Sequence, residues 1–296
     1  MAPADDAPGL TATVRFTPRP LVPFAAWQTE AYSGNSGAPG SRARSRAFDT
    51  LMDALEVPWW DGMRLTLWPG EEMSEAIART GGFEMATSVV FKRLLFPSAC
   101  VIDAGANAGL YTILAARWCN RVVAAEPSPR ELAKLRRNIA INGFTNVTVL
   151  PAALGATAGR ATLRVSSAFN AGHNTLAPRF AYDQTALEAE MEVPVTTIDS
   201  LNLPADLIKI DVEGAEVDLL RGAWRTLRTY RPTLIIEANA LALEAYGAGI
   251  EPLAAVLREL RYAVFDISSE TAALVPLRHL ADANGENVVA RPAEAV

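Results

Sequence analysis

The sequence predicts a doubly wound α/β fold built on a mostly parallel sheet. Three observations carry that prediction. From residue 99 onward, short apolar runs of buried-strand character alternate with stretches of helical period, the signature of βαβ units. Four of those runs end on a carboxylate, at Asp103, Glu126, Asp211 and Glu237. The first run also passes through a glycine turn, D-A-G-A-N-A-G, into the apolar helix L-Y-T-I-L-A-A. Strand, glycine turn and helix start together form a place where backbone can approach a nucleotide-like ligand. Right-handed crossovers between parallel strands then wind the chain over both faces of the sheet.

Taken in order, residues 1–47 are rich in Pro, Gly, Ser and Ala, and Ser33–Ser41 has a linker composition, so an extended or disordered arm is expected. Arg42, Arg44 and Arg46 read as its solvated flank. Residues 48–96 are expected to form a helical cap that begins at Phe48 and contains a short hairpin at P-W-W-D-G-M-R-L-T-L-W-P-G. Trp59, Trp60, Trp68 and Phe83 suit a small aromatic core within it. The main domain, 97–296, opens with the strand at Val101–Asp103 and a helix near Leu110–Trp118. A second strand ends on Glu126, and Pro127 and Pro129 lead into a helix whose Leu132, Leu135 and Ile139 share one face and which stops at Asn142-Gly143. The strand N-V-T-V-L follows. Arg160–Val165 and Met191–Asp199 alternate like strands around a polar loop and interrupt the parallel pattern. It resumes with D-L-I-K-I-D, a helix over Ala215–Thr229, the strand Thr233–Glu237, a helix near Pro252–Leu260, and strands at Tyr262–Ile267 and Glu286–Ala290.

Composition excludes several classes. With 27 Lys+Arg against 33 Asp+Glu, the formal charge of −6 gives no global attraction to nucleic acid or anionic lipid. The first residues, M-A-P-A-D-D-A-P, lack the basic region and apolar core of a secretory signal, and no apolar run reaches about 18 residues, so a cytoplasmic protein without a membrane partner is expected. The two cysteines, Cys100 and Cys119, fall in a strand and at a helix end as small fillers, too few for a disulfide framework or thiolate cluster.

Carboxylates at buried strand ends are costly without partners, so four of them at the ligand-binding edge of a doubly wound sheet point to a site. Glu126 lies 23 residues after Asp103, close to the spacing of a carboxylate that accepts from ribose hydroxyls at the end of the second strand. The turn is not a dinucleotide fingerprint. Asn107 and Leu110 stand where G-x-G-x-x-G needs its second and third glycines, and Asp103 would repel a pyrophosphate while attracting an ammonium. S-adenosylmethionine, with an ammonium, a sulfonium and a ribose but no phosphate, fits better than NAD. A phosphate-cradling G-x-x-x-x-G-K-[ST] motif is absent.

The motifs V-I-D-A-G-A-N-A-G-L-Y-T, A-A-E-P-S-P, N-I-A-I-N-G, A-L-G (Ala153–Gly155), G-H-N-T-L (Gly172–Leu176) and D-L-I-K-I-D-V-E-G-A-E occur in the order and approximate spacing of FkbM-type S-adenosylmethionine-dependent methyltransferases, which the chain resembles from about Glu84 to Ala290. The resemblance implies a class I, Rossmann-like methyltransferase fold, so a seven-stranded sheet is expected, preceded by the N-terminal helical cap read above, most of which the resemblance does not cover. It implies O-methylation of a small-molecule hydroxyl on a sugar, polyketide or other secondary metabolite. Carried onto this sequence, Asp103, Gly105, Ala106 and Asn107 hold the methionine end, Glu126 with Pro127 the ribose, and Ala152 and Ala153 flank the adenine.

Methyl transfer needs alignment and one proton acceptor, for which His173, Asp211 and Glu213 are the candidates. His279, in an ordinary loop, is not one, and Glu216 and Asp218 suit the first turn of a helix for dipole reasons alone. Asp211, with Glu237 and Asn239 at the adjacent strand end, offers an oxygen ligand set for Mg²⁺. The expected partner is a small-molecule acceptor rather than nucleic acid, and the assembly is left open, a homodimer included. An RNA methyltransferase and an NAD-dependent oxidoreductase are the rival readings.

Overall fold

The computed structural model describes residues 54–285 and 287–295. The arm expected over 1–47, its arginines, the helical start at Phe48, and Glu286 at the head of the last expected strand lie outside the described residues.

The described chain enters as an antiparallel hairpin, β1 (Leu55–Pro58) and β2 (Arg64–Leu67), closed by a 3₁₀ turn at Trp60–Gly62. This hairpin begins earlier than the sequence pattern placed it. Two helices follow, α1 (Glu72–Thr80) and α2 (Met85–Leu94). The wound portion then runs β3 (Cys100–Ala104), α3 (Leu110–Trp118), β4 (Arg121–Ala125), α4 (Pro129–Ile141) and β5 (Val147–Leu150). As the sequence indicated, α4 begins on Pro129 and stops at Asn142, with Gly143 in the left-handed region at φ 66°. An insertion of β6 (Ala153–Leu154), β7 (Gly159–Ser166) and β8 (Leu187–Thr196) forms its own small sheet in the order β6-β8-β7.

The chain returns through α5 (Ile198–Leu201), β9 (Leu207–Ile210), α6 (Glu216–Gly222), α7 (Trp224–Tyr230) and β10 (Thr233–Glu237). It ends with α8 (Ala240–Tyr246), α9 (Ile250–Glu259), β11 (Tyr262–Ile267), β12 (Leu274–Pro276) and β13 (Asn287–Pro292). The single helix expected over 215–229 is two helices. A Cβ on Gly222 would lie 2.0 Å from the Gly155 carbonyl oxygen, so the chain passes the insertion too closely to carry an ordinary side chain there.

The main sheet has the order β12-β11-β13-β10-β9-β3-β4-β5. The pairings among β5, β4, β3, β9 and β10 are parallel, and those of β13 with β10 and β11, and of β11 with β12, are antiparallel. The sheet therefore has eight strands rather than the expected seven. The eighth, β12, is a three-residue edge strand that folds back on β11 and is too short to show a period in sequence.

Strand residues alternate strictly between two cores. Ile102, Val123, Ile208 and Ile236 face α6, α7 and α9, whereas Val101, Val122, Leu207 and Ile235 face α3 and the N-terminal segment. Each such side chain contributes about 1.5–3 kcal/mol relative to exposure, which is why near-continuous apolar runs are needed in a sheet covered on both sides. Trp59 and Trp60, stacked at 4.7 Å, join Leu65, Leu67 and Phe91 in that second core. Residues 59–91 thus share a hydrophobic core with the sheet. Among the described residues no single helix is long and apolar enough to cross a membrane.

Two asparagines, Asn138 on α4 and Asn142 at its C-cap, fasten β2 to the wound portion. Asn138 Oδ1 accepts from the Thr66 amide at 2.8 Å while its Nδ2 donates to the Ala108 carbonyl at 2.8 Å, and Asn142 brackets the backbone of Arg64 in the same way. Asn138, Thr66 and Ala108 are all buried. Asn138→Ala leaves a buried donor and a buried acceptor unmet. The expected cost is about 2–4 kcal/mol, a fall in Tm of roughly 5–10 °C, read by thermal unfolding. An unchanged Tm would show that the hairpin is held by apolar packing alone.

Candidate active site

A cavity of about 480 Å³ opens beyond the carboxyl ends of β3, β4, β9 and β10, the edge at which doubly wound sheets bind ligands. Its floor is built by the first glycine turn. Gly105 sits at φ 81° and Asn107 at φ 49°, and the amides of Gly105 and Ala106 both donate to the Ala125 carbonyl at 3.0 Å. This pins the turn to the end of β4 and aims the Asn107 amide at Glu126, whose Oε2 accepts it at 2.9 Å. Glu126 Oε1 accepts the Ser128 amide at 2.8 Å. A carboxylate has about four lone-pair positions, so each oxygen retains capacity for a hydroxyl donor. Glu126 is 5% exposed, and burial pushes its carboxyl up to about 8 despite those two amides.

At the next strand end, Asp211 Oδ2 accepts from Lys209 Nζ at 2.8 Å. Lys209 is wholly buried in the middle of β9. Burial alone would lower its pKa, but the carboxylates of Asp211, Glu84 and Glu237 outweigh that and hold it protonated. Its ammonium also stands 5.1 Å from the Tyr111 ring, and Tyr111 donates to Glu84 Oε2 at 2.6 Å. Glu84, in the cavity wall just before α2, thereby connects the N-terminal segment to the site. At the end of β10, Glu237 is 8% exposed and its Oε2 has no hydrogen-bond partner. Burial, then the charges of Glu213, Asp211 and Glu216, push its carboxyl well above the usual range.

The roof comes from the insertion and the N-terminal segment. Thr175 Oγ1 donates to the Glu213 carbonyl at 2.6 Å, and the Thr175 and Arg164 backbones pair, so the G-H-N-T-L stretch is anchored to the D-V-E-G turn. Tyr182 Oη accepts from Asn239 Nδ2 at 2.7 Å. His173 Nδ1 lies 2.8 Å from Thr185 Oγ1, and its ring centroid is 5.0 Å from that of Tyr182. Met73 and Phe83 from the N-terminal side, with Phe169 and Leu176 from the insertion, complete the wall.

The structure gathers Gly105, Asn107, Glu126, Pro127, Ala152, Ala153, His173, Asp211, Glu213, Glu237 and Asn239 around one cavity. Asp103 and Ala106 are not in its wall. The Asp103 carboxylate accepts from Thr112 Oγ1 at 2.5 Å and is 1% exposed, with burial pushing it up to about 6. It braces the turn against α3 and is not placed to meet an ammonium directly. A second correction concerns Asn239. Its Oδ1 caps α8 by accepting from the amides of Leu241 and Ala242 at 3.1 and 3.2 Å, so that oxygen is committed and is a poor metal ligand. Glu213 takes its place in the geometry: one carboxylate oxygen each from Asp211, Glu213 and Glu237 lie within 4.8 Å of one another.

Lys209 and Glu84 are site residues that sequence reasoning missed. Lys209 left a signal, since a lysine inside an apolar run must find counter-charge. Glu84, Tyr182 and Gln184 left none, because only tertiary packing brings them to the cavity.

Comparison with known proteins gives a family. The model described as "Methyltransferase FkbM domain" matches residues 103–266. Among solved structures, a methyltransferase FkbM from Methylobacillus flagellatus KT is similar at 17% identity and a TM-score of 0.45, over 85% of this chain and 59% of that one. The chain thus spans about three-fifths of that protein's length. A precorrin-6y C5,15-methyltransferase from Geobacter metallireducens GS-15 is similar at 14% identity over 71% and 86% of the two chains, with a TM-score of 0.40. An rRNA methylase from Streptococcus thermophilus is similar at 11% identity over 70% and 92%, with a TM-score of 0.36. No curated protein matches the sequence.

Proposed function

We infer, from the premise that this chain belongs to the FkbM methyltransferase family, that it transfers the methyl group of S-adenosylmethionine to a hydroxyl of a small, uncharged metabolite. One observation carries the finer part of that reading. Seven carboxylate side chains line the cavity, at Glu71, Glu72, Glu84, Glu126, Asp211, Glu213 and Glu237, and no lysine or arginine is among the described lining residues. Burial keeps several of these carboxyls protonated in the unliganded protein, Glu126 and Glu237 among them, and an arriving sulfonium and ammonium favour their ionised forms, so the wall suits a cationic ligand. It disfavours the phosphates of NAD or of an RNA acceptor, for which basic contacts supply most of the affinity.

Glu126 would accept from the ribose hydroxyls of the bound cofactor, Asp211 beside the Gly105 turn would take its ammonium, and Ala152 and Ala153 would flank its adenine. Glu213, His173 and Tyr182 line the part of the cavity left for the acceptor. The reaction is an in-line displacement: the acceptor oxygen forms a bond to the methyl carbon, the carbon–sulfur bond breaks, and a base takes the hydroxyl proton. For His173 to act as that base through Nε2, its Nδ1–H donates to Thr185 Oγ1, a hydroxyl that is able to accept it and that orients the ring. Apolar Met73, Phe83, Phe169 and Leu176 exclude water from the methyl and hold the acceptor's carbon skeleton.

The test is calorimetry with S-adenosylhomocysteine followed by transfer of labelled methyl from S-adenosylmethionine to a panel of sugars, polyols and polyketides, with RNA as a parallel acceptor. Binding, transfer to hydroxylated small molecules, and a loss of about 10²–10⁴ in kcat for His173→Ala with unchanged cofactor affinity are expected. Transfer to RNA alone, or no S-adenosylhomocysteine binding, would overturn the reading.

A further inference from the structure

We propose that Asp211, Glu213 and Glu237 hold a divalent cation, of the oxygen-seeking Mg²⁺ and Mn²⁺ kind, in the acceptor half of the cavity. Two separate observations point there. The first is spacing. One oxygen from each carboxylate lies within 4.8 Å of the other two, the separation spanned by ligands on a cation with bonds of about 2.1–2.4 Å. The second is an unmet acceptor. Glu237 is more than nine-tenths buried, lines the cavity, and its Oε2 has no hydrogen-bond partner. A buried carboxylate oxygen without a donor is costly, and the groups around it make the cost greater rather than smaller.

The charges facing this cluster are Glu84 from the segment before α2, Glu216 from α6 behind the 211–214 turn, and Lys209 from β9. Glu216 Oε1 accepts from the amides of Val212 and Gly214, while its Oε2 is also buried without a partner. Lys209 is the one cation in the group, and its Nζ is bound to Asp211. The ammonium of S-adenosylmethionine offsets one further charge when it meets Asp211. Glu237 Oε2 still remains buried without a donor, in a cluster where one oxygen each of Asp211, Glu213 and Glu237 lie within 4.8 Å of one another. A divalent cation there meets that unsatisfied acceptor, with one oxygen each from Asp211 and Glu213 completing the set.

The ligand positions are fixed in advance. Gly214 sits at φ 106° against α8, where a Cβ would lie 2.4 Å from the Ala242 carbonyl, and Glu213 is anchored through its carbonyl to Thr175. Asn239 is outside the set because its oxygen caps α8. When bound, such an ion supplies a Lewis acid that lowers the pKa of an acceptor hydroxyl. That use rests on the proposed methyl transfer, but the binding itself does not.

The experiment is titration of Mn²⁺ into the full chain without cofactor, followed by the loss of the free-ion electron paramagnetic resonance signal. One site with a Kd of about 100 μM or tighter is expected, judged by ligand charge count. Glu213→Gln and Glu237→Gln are each expected to weaken it by about tenfold or more, while Asn239→Ser, which retains a helix cap, leaves it unchanged. Binding of S-adenosylhomocysteine to the same variants reports whether the cavity is intact. Should Glu237→Gln lose that binding, the half-buried Glu213→Gln carries the comparison. No stoichiometric Mn²⁺ binding up to about 1 mM in the wild-type chain would overturn the proposal, and so would affinity unaltered by both glutamate variants. Either result leaves the methyl-transfer reading standing, since cofactor binding is measured separately.

Discussion

Replacing Gly105 by alanine is expected to abolish cofactor binding and to destabilise the protein by about 3 kcal/mol. Gly105 occupies φ 81°, where a Cβ costs roughly 1–2 kcal/mol before any contact is considered. Here the contact is severe. The new Cβ would lie 1.7 Å from the Asp211 carbonyl oxygen and 2.8 Å from its carbon, and neither is the end of a flexible side chain. The turn and the end of β9 must separate, which carries Asp211 and Lys209 out of register with Glu126. Gly143→Ala is the control. It has a similar φ of 66° with nothing within 4 Å, so only the local strain is felt. Thermal unfolding and calorimetry with S-adenosylhomocysteine distinguish the two. Equal effects at both positions would mean that the close approach to Asp211 is relieved at little cost.

The second large effect concerns Glu126 and carries a pH signature. Glu126→Gln removes a charged acceptor and is expected to weaken S-adenosylhomocysteine binding by about 10- to 100-fold, the equivalent of a hydrogen bond to a charged group. In the unliganded protein burial raises this carboxyl from 4.5 to about 8. The folded state therefore holds a proton that the unfolded state has released between those values. Its contribution to stability is fully present below about pH 4.5 and is lost as the pH rises through about 8. Ribose hydroxyls donate to the ionised form, so binding near pH 7 is expected to release protons, and the Tm gain from S-adenosylhomocysteine to be larger at pH 9 than at pH 6. Calorimetry in buffers of different ionisation enthalpy measures the release. Identical proton release by Glu126→Gln and wild type would assign it to another group.

Much of the fold and of the site is legible in the sequence, for definite physical reasons. Buried parallel strands must be apolar on both faces, so β3, β4, β9 and β10 stand out as runs, and a carboxylate closing each run is conspicuous. Asn107 and Leu110 in place of glycines disfavour a dinucleotide while leaving an NAD-dependent oxidoreductase as a rival. What failed to show did so because it is not local. The close approach of Gly222 to Gly155 at the end of α6 and the N-terminal contribution of Glu84 depend on tertiary packing, and β12 is too short to have a pattern. Asn239 misled in another way. An asparagine two residues past a strand and one before a helix is equally a metal ligand and an N-cap, and the local hydrogen bonds to Leu241 and Ala242 decide for the cap.

Two of the insertion's fasteners join it to the turns after β9 and β10, Thr175 to the Glu213 carbonyl and Tyr182 to Asn239. Between these fasteners runs a short hoop, 176–181, whose residues, Leu176 excepted, stay outside the cavity wall. Substitutions within 177–181 are therefore expected to leave the cavity wall in place so long as the fasteners hold, and to reshape it only by shifting Leu176 or Tyr182 at the two ends of the hoop.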